Sequence, residues 1–78
     1  MEKETNKNSI KKGHWKHYKG GNYIVIDTII DTTREEYVVL YRNYEGMMFI
    51  RTIADFLSIV EKDGIEEKRF TFLGYEPL

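Results

Sequence analysis

The chain has no cysteine in 78 residues and a single proline, Pro77. Without thiols there can be no disulfide, no thiolate metal site and no thiol nucleophile, so the fold must be held by burial alone. Long hydrophobic runs are also missing: no apolar stretch approaches the roughly 20 residues that span a bilayer. The N-terminal MEKETNKNSIKK lacks the apolar core of a secretory signal. These absences predict a soluble, cytoplasmic protein with no membrane contact. A chain this short buries only about 60% of its unfolded surface, which leaves room for one domain and one core.

Net charge is small, −1 overall, but its distribution is uneven. Residues 1–20 carry six lysines against Glu2 and Glu4, a net of +4, and the other 58 residues carry six basic and eleven acidic groups, a net of −5. Residues 1–12 have no hydrophobic periodicity and read as a flexible basic arm before a single β-barrel domain over 13–78. Such an arm can grip phosphates weakly, be solvated, or lie against the acidic body.

What is abundant is aromatic and β-branched. The stretch GHWKHYKGGNYIVI, residues 13–26, alternates from Trp15 to Lys19, placing Trp15, His17 and Lys19 on one strand face. Gly20-Gly21-Asn22 is a turn, and Tyr23 to Ile30 is the strongest strand signal, fit for the middle of a sheet. The turn at Asp31-Thr32-Thr33-Arg34 leads to a strand over Glu36 to Tyr44, and Glu45-Gly46 turns into another over Met47 to Arg51.

The period then changes. Ile53, Phe56, Leu57 and Val60 recur at helical spacing, with Thr52 placed to cap the N-terminus and Gly64 at the C-terminal end. Glu66-Glu67-Lys68 reads as a charged loop, and Arg69 to Leu73 alternates as a last strand before a short tail. The expected fold is mainly β: a small SH3-like, partly open barrel of about five antiparallel strands, with one short helix before the last strand. An open antiparallel sheet covered by the helix is the competing architecture.

Several of these residues together resemble a family of small bacterial proteins, domain of unknown function 1653. They are Gly13-x-Trp15-x-His17-Tyr18-Lys19-Gly20, Tyr23-x-Val25, Glu36, Val38-Val39-x-Tyr41, Phe49-x-Arg51, Phe56 with Val60, Gly64 and Arg69-Phe70. The resemblance covers about residues 13–73. Trp15 stands where the family usually has tyrosine, Phe49 where it has tryptophan, and Thr52 where it has proline; Thr52 can cap the helix instead. The resemblance implies a fold and a family, and it carries no activity with it.

The residues offer little for catalysis. His14 and His17 are three apart, which puts them on opposite faces of a strand, and no third histidine or cysteine completes a metal site. His14 is expected to be exposed and His17 hydrogen-bonded. Ser9 and Ser58 are not in nucleophile turns, and Lys19-Gly20-Gly21 has the lysine on the wrong side of the glycines for a phosphate loop. No cofactor is implied. The ring count is the more informative signal. Trp15, Tyr18, Tyr23, Tyr37, Tyr41, Tyr44 and Phe49 cannot all be interior, and Lys19, Arg42 and Arg51 fall between them. Arg51 and Arg69 call for carboxylate partners, with Glu35, Glu36 and Asp55 available.

The function expected is a non-catalytic binding or adaptor module. It would recognise a protein or peptide through an aromatic-basic patch of Trp15, His17, Lys19, Tyr41 and Arg51. Two alternatives stay open: a barrel binding nucleic acid or a nucleotide, and a small enzyme using His17 with Glu36 as an acid-base pair. A monomer or weak homodimer is expected.

Overall fold

Branched and aromatic residues crowd positions 23–30 and 36–43, and both runs extend into strands that pair as a long hairpin. The computed structural model describes residues 10–75, so most of the expected basic arm, residues 1–9, lies outside the described residues. The element order is β1 (Gly13–His17), β2 (Asn22–Asp31), β3 (Glu36–Asn43), β4 (Met48–Thr52), α1 (Ile53–Phe56), β5 (Ile59–Lys62), β6 (Ile65–Lys68) and β7 (Phe70–Gly74). Five strands form one antiparallel sheet in the order β4-β3-β2-β1-β7, which puts β2 at the centre as its composition predicts. The sheet curls without closing, and β4 and β7 are its two edges.

Curling starts at a bulge. Val25 pairs with Tyr41 and Asp27 with Leu40, so Ile26 is the extra residue that bends β2. The inner face then gathers Trp15, Val25, Val39, Tyr41 and Phe70, all nearly inaccessible, around Ile53 and Phe56 from α1. Ile10 joins this core at 6% exposure, so residues 10–12 are not the loose end of an arm. The Trp15 indole Nε1 donates to the Lys11 carbonyl at 2.8 Å, which ties the entry segment to β1.

The helix is shorter than its periodicity predicts. Thr52 does cap it, its hydroxyl accepting from the Asp55 backbone N–H at 3.1 Å, but α1 stops after Phe56 rather than running to Val60. The stretch beyond folds as a second, two-stranded sheet, β5 with β6, in which Lys62 pairs with Ile65 across a two-residue loop. That loop is Asp63-Gly64, with φ of 54° and 78°, the paired positive values of a type I′ hairpin turn. Gly64 is therefore a hairpin corner and not a helix terminus, and Glu66-Glu67-Lys68 is strand rather than loop. Ser58 and Arg69 close the base of this hairpin, the Arg69 N–H donating to the Ser58 carbonyl at 2.9 Å.

His14 also departs from expectation. It is buried, 9% exposed, with its Nδ1 2.7 Å from the Tyr44 hydroxyl on the face of the sheet opposite the core.

Candidate functional site

Antiparallel register decides which side chains meet. Tyr41 faces Phe49 and Val39 faces Arg51 across β3 and β4, so Tyr41 and Arg51 are diagonal neighbours on the inner face. Arg51 Nε donates to the Tyr41 hydroxyl at 3.0 Å, and Arg51 Nη1 donates to Asp55 Oδ2 one helical turn on. Asp55 is shared: its other oxygen lies 3.9 Å from Arg69 Nη2, and Arg69 Nε donates to the Ser58 hydroxyl at 2.9 Å. A chain thus runs Tyr41, Arg51, Asp55, Arg69, Ser58, from β3 across β4 and α1 to the residues just before β7 and β5. One carboxylate between two guanidiniums leaves the cluster net positive.

The aromatic rings make the floor. Phe70 lies 5.8 Å beneath the Arg51 guanidinium, and Tyr41 meets Tyr23, Phe49, Phe56 and Phe70 with centroids 5.4–5.5 Å apart. His17 stands beside Phe70, ring centroids 4.8 Å apart. Burial pushes the His17 imidazole below its usual value, and Arg51, Arg69 and Lys19 push it further in the same direction. The ring is therefore neutral at pH 7, and its Nδ1 accepts from the Lys19 backbone N–H at 3.1 Å, the hydrogen-bonded state expected of it. Burial also raises Tyr41, against the lowering effect of its bond from Arg51, so the phenol stays protonated. For Arg51, burial opposes the charge, yet bonds to Asp55 and Tyr41 outweigh it and hold the group above its ordinary value.

The expected patch comes together only in part. Tyr41 and Arg51 touch, and His17 is close enough to sense Arg51. Lys19 is not on the strand face, because β1 ends at His17 and Lys19 sits exposed in the following turn, 5.9 Å above the Tyr18 ring. Trp15 is 6% exposed and packs on Phe56 and Phe72, on the far side of the core from Arg51. The His17–Glu36 acid-base pair does not form. Glu36 begins β3, where its carboxylate lies 3.7 Å from Arg34, while His17 pairs with Phe70 across β1 and β7. Among the described residues, no three His, Asp or Glu side chains gather to hold a metal, and no helix is long and apolar enough to cross a membrane.

Tyr41 and Arg51 line an open groove of about 490 Å³ with Arg34, Phe49, Ile50, Thr52 and Asp55. Sequence reasoning did not bring Arg34 or Ser58 to this cluster. The Arg69-Phe70 pair was the available signal, since one residue joins the ion chain and the next forms its floor.

An incomplete five-stranded barrel carrying a small hairpin and a half-buried Arg-carboxylate chain defines a compact class of β domain. Within that class, the chain belongs to the family described as "Protein of unknown function (DUF1653)", whose model matches residues 13–72. The crystal structure of a member of that family from Bordetella bronchiseptica has a TM-score of 0.81 to this chain, covering 90% of this chain and 95% of that one at 22% identity. At that identity the likeness is one of fold. No curated protein matches the chain.

Proposed function

We propose that the chain is a non-catalytic recognition module that takes an extended protein or peptide segment along the groove over Arg34, Tyr41, Phe49, Ile50 and Arg51. The observation that carries this reading is the position of the groove on β4, an edge of the sheet with no further strand paired to it among the described residues. An edge strand offers unpaired main-chain groups in a row, and a partner strand can be added to them. Phe49 and Arg51 alternate with Ile50 along that edge, giving an aromatic and cationic face on one side and an apolar one on the other. The net positive Arg51–Asp55–Arg69 cluster behind the groove favours a segment with acidic side chains. The groove is shallow and open, and Arg51, Tyr41 and Asp55 are committed to one another, an arrangement suited to docking rather than to moving protons.

The experiment is capture of partners from the native host with the wild-type chain and with Arg34→Glu and Ile50→Glu, both at exposed positions. A partner held by the wild type and lost by both variants, with unchanged circular dichroism, supports the reading. Retention of every partner by both variants overturns it.

A further inference from the structure

A second cavity, beside Trp15, shares no lining residue with the Arg51 groove, and we infer that this cavity is a site for a small amphipathic carboxylate. It is lined by Lys11, Trp15, Leu57, Ile59, Lys68, Phe70 and Phe72 and holds about 230 Å³. That volume is below the roughly 300–1,000 Å³ of drug-sized sites, so the occupant is a small aryl or alkyl group.

The lining has a polarity. Trp15 and Phe70 at the base are nearly inaccessible, at 6% and 2%, whereas Ile59 at the mouth is 56% exposed, with Lys11 and Lys68 exposed beside it. The indole N–H is already committed to the Lys11 carbonyl, so no polar group in the base asks for a partner. An apolar body therefore fits inward, and whatever polar group the ligand carries must stay at the mouth. The charged groups there are two ammoniums and no carboxylate. Lys11 is carried over the pocket wall, its Nζ 5.2 Å from the Phe72 ring centroid, and Lys68 is fixed opposite Ile59 by the β5–β6 register. Apolar floor and cationic rim together select an anion with an apolar tail, against its neutral and cationic congeners. Neither lysine belongs to the Tyr41–Arg51 groove, so this inference stands apart from the peptide reading.

Trp15 is the only tryptophan of the chain, which gives the pocket its own fluorophore. The test is titration of Trp15 emission with 3-phenylpropionate, 3-phenylpropanol and 3-phenylpropylamine, in the wild-type chain, in Lys11→Gln/Lys68→Gln and in Ile59→Trp, with methyl NMR shifts of Leu57 and Ile59 as a second readout. The carboxylate is expected to bind about tenfold more tightly than the alcohol, the double variant to abolish that preference, and Ile59→Trp to block all three probes by filling the mouth, which the methyl shift of Leu57 reads. Equal affinity for the three probes overturns the inference. So does a preference that survives in the double variant, or the absence of any response up to tens of millimolar.

Discussion

Phe56 and Phe70 lie face to face, their ring centroids 4.1 Å apart and their planes within 6° of parallel. One ring comes from a helix of a single turn and the other from the start of the last strand. A helix this short has no stability of its own, so α1 persists because Ile53 and Phe56 are buried by the sheet. Phe56 is fully inaccessible and touches Trp15 and Tyr41 as well as Phe70, which makes it the joint between the two halves of the core.

Phe56→Ala is accordingly expected to cost about 3–5 kcal/mol, because a ring-sized void opens among aromatics that cannot all collapse into it. In a domain of this size that is a large share of total stability. Phe56→Leu keeps most of the volume and is expected to cost less than half as much. Urea unfolding of the two variants checks the order, and equal losses would mean that ring stacking, rather than filled volume, is what the site requires.

Gly13 gives a different kind of expectation, one set by backbone. Its φ is +141°, and a Cβ placed on it would lie 2.9 Å from the Tyr75 Cα and nearer still to the Gly74 carbonyl. The first and last strands pass each other here with nothing between them, just where their register shifts. Gly13→Ala should therefore cost about 2–3 kcal/mol, strain and clash together. Gly20→Ala is the control, since Gly20 also has a positive φ, +110°, but open space around it; only the conformational cost of about 1 kcal/mol applies there. Equilibrium unfolding that gives equal costs at the two positions would remove the close approach as the cause.

Where local chemistry and tertiary structure agree, the sequence was legible. The alternating runs became β1 to β4 and β7, Thr52 capped the helix, and Arg51 found Asp55, because each of these rests on neighbours within a few residues. The helix is shorter than its periodicity predicts for a physical reason. Val60 completes the helical spacing of Ile53, Phe56 and Leu57, but the Asp63-Gly64 pair after it is a strong hairpin corner, and pairing of Ile59–Lys62 with Ile65–Lys68 won. His14 is buried against expectation, because exposure on a curled sheet depends on what lies across it, for Trp15 as for His14. Phe56 and Phe72 cover one, Tyr44 meets the other, and all three are at least 30 residues away. The Tyr41–Arg51 contact follows from β3–β4 register, while Arg69 joins only because β7 pairs with β1, a long-range closure that no local pattern encodes.

The surroundings of His17 set a pH dependence whose sign follows from its shift. Burial first, then the cationic Arg51, Arg69 and Lys19, hold the folded imidazole below the value of 6.5 that it has in the unfolded chain. Above that value both states leave the ring neutral, and the full stability is present. As pH falls through it, the unfolded chain takes up a proton that the folded protein refuses, so stability drains away until the folded value is reached. Wild-type protein should lose more stability between pH 7.5 and pH 5.5 than His17→Gln, which keeps a polar side chain of similar reach and cannot titrate. Every side chain other than residue 17 is common to both proteins and cancels in the comparison. Urea midpoints at the two pH values measure it directly; parallel losses in the two proteins would show that neither burial nor the neighbouring cations hold His17 below its unfolded value.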